Sequence, residues 1–279
     1  MMITNTLTKK IDNALLLLSS ACGNNVVEVC FSGGKDSDVV LELSKMAGIN
    51  FQAIYKNTTI DPPGTINYVI SKGTTIMTPK LNFFDLVKKN GMPTRRARFC
   101  CRFLKEYKVF DIAIQGIRVC ESKRREKLYS VDDPIVCRFY GSKKNNVQVI
   151  LPLLSWSDID VSDFIKDRHI HCHPLYYDDD GNFCVSRRLG CIGCPLQSDA
   201  GVSDFKLYPK FFAHLVECVC EWWDSHPTAK SHNKFSSPYG LIAHNLFYKN
   251  YYDWQADNHS LFGYRDWKLL LESYFHVSL

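Results

Sequence analysis

The sequence lacks any apolar run long enough to cross a bilayer, and it contains no internal repeat and no low-complexity tract. A membrane-spanning helix needs about 20 consecutive apolar residues, so this class of protein is excluded. The run Leu15–Leu18 before Cys22 is similar to a lipoprotein processing site, but it is very short and Asp12 interrupts its approach. Thr6–Ala21 instead predicts a first amphipathic helix. We therefore expect a cytoplasmic protein with no membrane partner.

Extreme charge is also missing, because the net charge is only +5 with 46% hydrophobic and 23% charged residues. This composition is typical of a globular protein and excludes disorder as the default. The positive charge is nevertheless concentrated in two arginine-rich runs, within 95–108 and 118–127. One run alone predicts a solvated face. Two runs, each beside a candidate site motif, favour phosphate recognition, because the guanidinium group matches phosphate oxygens.

Strands and helices alternate through the first two thirds of the sequence. Apolar runs predict strands at Val26–Phe31, Phe51–Tyr55, Thr74–Met77, Phe110–Ile114 and Val147–Leu151. This order predicts an α/β fold, a parallel twisted sheet with helices on both faces. We expect a nucleotide-binding domain with the cysteine motifs at 1–200 and a helical, aromatic-rich subdomain at 201–279. Core packing explains those aromatic residues better than a base-stacking surface does.

The segment Ser32-Gly33-Gly34-Lys35-Asp36-Ser37 lies between a predicted strand and a predicted helix. Glycines allow backbone N–H groups to approach an anion, and the helix presents its positive end there. Lys35 adds a charge, and Ser32 and Ser37 add hydroxyl donors. The spacing is not that of a Walker A loop. The segment predicts a phosphate site, in which Asp36 either holds Mg²⁺ or caps the helix.

This segment resembles the signature of the PP-loop ATP pyrophosphatases. The resemblance implies an adenine nucleotide alpha hydrolase-like fold that binds ATP and Mg²⁺. It also implies reaction at the α-phosphorus, with pyrophosphate as the leaving group. Lys35, Asp36 and Arg118 are the catalytic residues that it implies.

Further segments are similar to the phosphoadenylyl-sulfate reductase branch of that superfamily. Asn57 and Thr58 match loosely a turn that contacts adenosine in relatives. Gly116-Ile117-Arg118 with Ser122 and Arg125 matches a phosphate-contacting loop. The stretch His173–Tyr176 is also similar to one in relatives, and we expect a structural role for it.

The sequence contains 12 cysteines, which in a reducing cytoplasm indicate metal or sulfur chemistry rather than disulfides. Cys100 and Cys101 are adjacent, and Cys191 and Cys194 form a CxxC motif. In the adenylyl-sulfate reductases such a set holds a [4Fe–4S] cluster, so the resemblance implies a cluster here, with Zn²⁺ as the alternative. Cys184 is either a sulfur carrier or an inert thiol.

Three functions are compatible with these motifs. Reduction of phosphoadenylyl-sulfate or adenylyl-sulfate is disfavoured, because relatives use a cysteine near the C-terminus and none follows Cys220 here. A nucleotide-sensing protein without turnover is disfavoured by the intact Lys35, Asp36 and Ser37. ATP-driven sulfur insertion is the reading we favour. The resemblance is to the ATP pyrophosphatases of Dnd and Ssp DNA phosphorothioation systems, with tRNA thiolation as an alternative. It implies a cysteine desulfurase or other persulfide donor and a nucleic acid acceptor, DNA being favoured.

Overall fold

The computed structural model describes residues 5–141, 145–260 and 263–279. In chain order its helices are α1 (Asn5–Cys22), α2 (Lys35–Met46), α3 (Thr65–Ser71), α4 (Phe83–Asn90), α5 (Phe99–Leu104), α6 (Lys123–Leu128), α7 (Asp158–Asp167), α8 (Val202–Leu207), α9 (Pro209–Ser225), α10 (Pro238–Phe247), α11 (Tyr251–Asn258) and α12 (Trp267–Phe275). Its strands are β1 (Val27–Cys30), β2 (Phe51–Lys56), β3 (Thr75–Met77), β4 (Ile112–Ile114), β5 (Ile135–Phe139), β6 (Asn146–Ile150), β7 (His259–Ser260) and β8 (Gly263–Tyr264).

The chain forms two compact units. The first comprises residues 1–57, 61–78 and 105–190, and the second comprises 58–60, 79–104 and 191–279. The second unit is therefore discontinuous, and it contains the cysteine motifs that the sequence analysis assigned to 1–200. The domain boundary that the sequence analysis placed at residue 200 stays a prediction.

The first unit is built on a sheet whose described strands follow the order β3-β2-β1-β4-β6-β5. β1 pairs in parallel with both β2 and β4, and β6 pairs in parallel with β4. Among the described strands of this sheet, β5 alone runs antiparallel, against β6. The mostly parallel sheet with flanking helices confirms the predicted fold class. β5 is missing from the sequence prediction, because a half-exposed edge strand gives a weak apolar pattern.

Helix α1 confirms the amphipathic reading of the N-terminal segment. Leu7, Ile11, Ala14 and Leu18 are all buried, and their spacing of three or four residues places them on one face. The same core cluster contains the fully buried strand residue Val29 and apolar residues of α2. Burial of this face, rather than helix propensity alone, stabilises α1.

The second unit has an aromatic core made largely of its helices. Phe205, Phe212 and Phe275 are almost fully buried, as are Trp254 and Trp267. The rings of Phe212 and Phe275 lie 4.1 Å apart between centroids. These contacts confirm core packing as the role of these aromatic residues.

No helix in the described part of the chain is both long and apolar enough to cross a membrane.

Candidate functional site

The loop between β1 and α2 has the shape of an anion-binding turn. Gly33 adopts φ +77°, a left-handed conformation that side chains disfavour. Gly34 is the N-cap of α2, so backbone N–H groups of the first turn point out of the helix. The loop is held by Ser37 Oγ, which donates to the Gly34 carbonyl at 2.6 Å, and by Gly34 N–H, which donates to Ser32 Oγ at 3.3 Å.

The loop lies at the point where the strand order of the sheet reverses. β1 is followed in the chain by β2 on one side, whereas β4 pairs on its other side. In open α/β sheets, ligands bind in the crevice at the carboxyl ends of the strands at such a switch point. The fold therefore places the predicted phosphate loop where a nucleotide site is expected.

Gly116 follows β4 and touches the first turn of α2. A Cβ atom at this position would lie 2.8 Å from the carbonyl oxygen of Asp36. Only glycine permits this approach without a backbone shift. The closeness of the two segments explains why the glycine is needed there.

A cavity of about 370 Å³ opens against the loop. Seven predicted site residues line it, namely Ser32, Gly34, Lys35, Asp36, Ser37, Gly116 and Arg125. The remaining lining residues are Cys30, Gln115, Glu121, Tyr176, Arg188 and Leu189. The structure thus brings together the loop and part of the arginine segment predicted from sequence.

Lys35 is the buried cation of this cavity. It is only 4% exposed, and its Nζ lies 3.4 Å from Asp36 Oδ2 and 5.6 Å from the ring centroid of Tyr176. A lysine in this place contributes a charge that water screens poorly. It suits an anionic ligand.

Arg118 binds protein carboxylates in this structure. It is 1% exposed, with Nε 2.8 Å from Asp36 Oδ1 and Nη2 2.8 Å from Asp158 Oδ1. Burial by itself lowers the pKa of Arg118, but Asp36 and Asp158 outweigh it and raise the pKa overall. Arg118 does not line the cavity, so the geometry supports a positioning role toward Asp36 rather than the predicted phosphate contact. Asp36 is likewise not the helix cap, which is Gly34.

Arg125 and Arg188 supply further positive charge to the cavity. Arg125 Nη1 contacts the carboxylate of Glu121. Burial lowers the pKa of Arg125, and the charge of nearby Arg188 acts in the same direction. Two neighbouring cations repel each other until an anion lies between them, which favours a polyanionic ligand.

Three predicted contacts lie elsewhere. Ser122 is exposed and caps α6, where its Oγ accepts the Arg125 N–H at 3.2 Å. Asn57 lies directly after β2, with its backbone N–H donating to the Met77 carbonyl. Thr58 is buried in the second unit, where its Oγ1 lies 3.6 Å from Cys191 Sγ. None of them lines the cavity in the described part of the chain.

A smaller cavity, about 150 Å³, shares Cys30, Ser32 and Gln115 with the first. Its wall contains the buried ion pair of Glu28 with Lys56, whose atoms are 2.8 Å apart. Its neighbourhood offers both acceptors and donors, which suits the polar edge of a nucleoside.

The predicted cysteine ligands all belong to the second unit. Hydrogen bonding to Cys101, burial and the nearby thiol of Cys191 raise the pKa of Cys100. The thiols of Cys101 and Cys191 therefore lie close enough to Cys100 to affect its pKa. Within the ranges that the structure describes, however, no three or more His, Cys, Asp or Glu side chains are placed to bind a metal ion. The four residues as placed do not fit a metal centre, and the cluster stays a prediction.

The sequence profile of the phosphoadenosine phosphosulfate reductase domain matches residues 26–197. The chain belongs to this family. Two uncharacterized proteins of Methanocaldococcus jannaschii are similar to it. MJ0973 is 30% identical over 70% of this chain and 48% of its own length, and MJ0066 is 27% identical over 72% and 42%. The chain thus spans about half the length of the curated relatives it matches.

Solved structures show weaker similarity. Candida glabrata FMN adenylyltransferase, bound to FMN and the ATP analog AMPCPP, has a TM-score of 0.42 at 14% identity and covers 62% of this chain and 60% of its own. The U34-tRNA thiolase NcsA from Methanococcus maripaludis, with its [4Fe-4S] cluster, has a TM-score of 0.37 at 14% identity and covers 80% and 82%. These values are too low to carry over an activity.

Sequence reasoning missed Arg188, Glu121 and Tyr176 among the cavity residues of this reductase-family protein. Arg188 stands beside Arg187 in an irregular loop, and nothing in the local pattern separates the two. In the structure Arg187 Nη1 donates to the Tyr177 carbonyl at 2.5 Å, whereas Arg188 lines the cavity. Only the tertiary structure distinguishes them.

This pair gives a matched test. We expect Arg188→Ala to raise the Kd for inorganic pyrophosphate, a probe of anion binding in this cavity, about tenfold. A contact between arginine and phosphate is charge-assisted, and exposure of this arginine to water limits the effect. Arg187→Ala should leave the Kd within about twofold, because its guanidinium binds backbone carbonyls. Calorimetric titration of both variants checks this, and equal effects would contradict the assignment of Arg188.

Proposed function

We propose that the protein is an ATP pyrophosphatase that adenylylates an acceptor oxygen for sulfur insertion. The observation that carries this proposal is the cavity at the switch point, where Lys35 and the first turn of α2 meet Arg125 and Arg188. The arrangement suits a triphosphate whose terminal phosphates rest on the loop. The smaller cavity shares a wall with this one, and its polar residues would lie beside the nucleoside of such a ligand.

In the proposed reaction the acceptor oxygen attacks the α-phosphorus of ATP, and the bond to pyrophosphate breaks. Lys35 and the loop amides stabilise the charge that collects on the leaving pyrophosphate. Arg118 holds Asp36, which in turn keeps the ammonium group of Lys35 at the cavity wall. The outer sulfur of a persulfide, for which we propose a cysteine desulfurase as donor, then attacks the acceptor and displaces AMP. A thiol cleaves the resulting S–S bond, so that the sulfur stays on the acceptor and the donor leaves as a disulfide.

A nucleic acid acceptor, with DNA favoured, is supported by charge near the cavity. Arg125 of α6 lines the cavity, while Lys123, Arg124 and Lys127 on the same helix are exposed. Exposed cations of this kind bind a phosphate backbone without reading its sequence. We therefore propose a role of the Dnd or Ssp type in DNA phosphorothioation. Thiolation of tRNA is the same chemistry on another acceptor.

The experiment that tests this is release of pyrophosphate from radiolabelled ATP with DNA, tRNA or adenylyl-sulfate, each with and without a persulfide donor. Stimulation by DNA supports the proposal, and stimulation by tRNA alone moves the acceptor to tRNA. Absence of pyrophosphate under every condition refutes it. Release of sulfite from adenylyl-sulfate with thioredoxin would establish reduction instead, the candidate that the family description favours.

Mg²⁺ is part of the proposal. The cavity contains two carboxylates, Asp36 and Glu121, and Mg²⁺ prefers carboxylate oxygens together with substrate phosphates. Both carboxylates are paired with arginines. One of them would complete a coordination sphere supplied mainly by the phosphates, where the ion would offset negative charge.

The cysteine motifs lead to a separate prediction. If they hold a cluster, anaerobically purified protein should be brown and contain about four iron atoms per chain, and Cys191→Ser should lose most of this iron. Cys137→Ser is the control, because Cys137 is exposed on the edge strand β5 of the first unit. Iron and zinc are measured by plasma emission. A colourless protein with one zinc ion per chain would contradict the cluster and support the zinc alternative.

A further inference from the structure

Tyr176 stands between two backbone segments at the phosphate cavity. It ends the short 3-10 helix Pro174–Tyr176, is only 3% exposed, and lines the cavity. The N–H of Leu189 donates to its hydroxyl oxygen at 3.2 Å. The same oxygen lies beside the phosphate loop, because a Cβ atom at Gly34 would be 3.4 Å from it. The Tyr176 hydroxyl therefore lies between the phosphate loop and the Arg188–Leu189 segment.

The contact with Leu189 uses the hydroxyl oxygen of Tyr176 as an acceptor, and it does not use its proton. A phenol oxygen accepts hydrogen bonds through its lone pairs and donates one through its proton. The backbone N–H of Leu189 occupies one accepting position of this oxygen. Tyr176 also lines the cavity, so rotation about its C–O bond lets the O–H group point toward a ligand there.

We infer that the Tyr176 hydroxyl donates a hydrogen bond to a phosphate oxygen of the ligand in this cavity, while holding the Leu189 amide in place. The inference rests on the proposed function for the identity of the ligand as the pyrophosphate part of ATP. The Tyr176 hydroxyl would add a neutral hydrogen-bond donor to the charged donors of the cavity, Lys35, Arg125 and Arg188. Burial raises the pKa of Tyr176 to about 12, so the phenol stays protonated at neutral pH.

Tyr177 provides a matched control next to it in the chain. Its hydroxyl also accepts one backbone N–H, that of Cys172 at 3.2 Å, and it does not line the cavity. Both rings pack against Phe183. Tyrosine to phenylalanine at either position removes a hydroxyl that accepts one backbone N–H and keeps the ring, including the ring that faces Lys35 at position 176.

The test is calorimetric titration of the full chain with inorganic pyrophosphate, together with the thermal unfolding midpoint of each variant. We expect Tyr176→Phe to raise the Kd about tenfold, because a hydrogen bond to a charged oxygen is lost. Tyr177→Phe should leave the Kd within about twofold, although its midpoint falls similarly. An unchanged Kd for Tyr176→Phe, an equal rise in both variants, or no pyrophosphate binding by the wild-type protein would overturn the inference.

Two further results keep the inference separate from the proposed function. If Tyr176→Phe does not fold, 4-aminophenylalanine at position 176 retains an N–H donor, and a folded variant that binds no pyrophosphate overturns the inference. Loss of pyrophosphate affinity in Tyr176→Phe supports it even if ATP is never cleaved, in which case only the proposed function fails. If the wild type releases pyrophosphate from ATP and Tyr176→Phe matches its kcat, KM and Kd, the inference alone fails.

Discussion

Replacing Lys35 with alanine is expected to reduce pyrophosphate release from ATP by about 10²–10³-fold, the usual loss when one preorganised charge-stabilising group is removed. The fold should survive, because Asp36 keeps the Nε of Arg118 at 2.8 Å after the lysine is lost. The effect should lie mainly in kcat, since in the proposed reaction the ammonium group would stabilise charge that develops on the leaving pyrophosphate. Initial rates over a range of ATP concentrations measure it.

Lys45→Ala is the matched control for this variant. Lys45 lies in the last turn of the same helix, α2, where its side chain is 55% exposed and its Nζ is 3.7 Å from Glu42. Exposed pairs of this type contribute little, so rate and stability should stay close to wild type. Wild-type turnover in Lys35→Ala would show that the loop does not hold the reacting phosphates.

Replacing Arg118 with leucine is expected to lower the free energy of unfolding by about 3 kcal/mol, because Asp36 loses the closer of its two cations and keeps only Lys35, 3.4 Å away. The main cost is at Asp36, whose side chain is 18% exposed, since Asp158 is 57% exposed and water can solvate it. Urea denaturation at neutral pH measures the change.

A second substitution tests whether the Asp36 carboxylate causes this loss of stability. Asp36→Asn in the Arg118→Leu protein should recover part of the lost stability, because it removes the carboxylate that has lost its closer cation. If Arg118 were instead a phosphate contact, as the sequence resemblance implies, Arg118→Leu would weaken ATP binding and change the unfolding free energy by no more than about 0.5 kcal/mol. That result would contradict the positioning role.

Some elements were predictable because their signals are local. The runs Val26–Phe31 and Phe51–Tyr55 are apolar and β-branched, and the observed β1 and β2 fall within about one residue of them. The spacing of Ser157 and Asp160 is a local capping pattern, and the structure contains the reciprocal cap at the start of α7. β5 was not predicted because its half-exposed residues give a weak apolar pattern.

Short-range patterns of glycine, charge and apolar residues were enough to predict the phosphate loop, the parallel sheet and membership of the reductase family from sequence alone. The role of each charged side chain follows instead from tertiary contacts. Arg118 contacts Asp36 and Asp158, Arg188 lines the cavity whereas Arg187 does not, and the Tyr176 hydroxyl lies beside the loop. These outcomes depend on contacts between distant segments, which local patterns do not encode. A carboxylate and a phosphate compete for the same guanidinium chemistry, so geometry alone separates a structural arginine from a ligand-binding one.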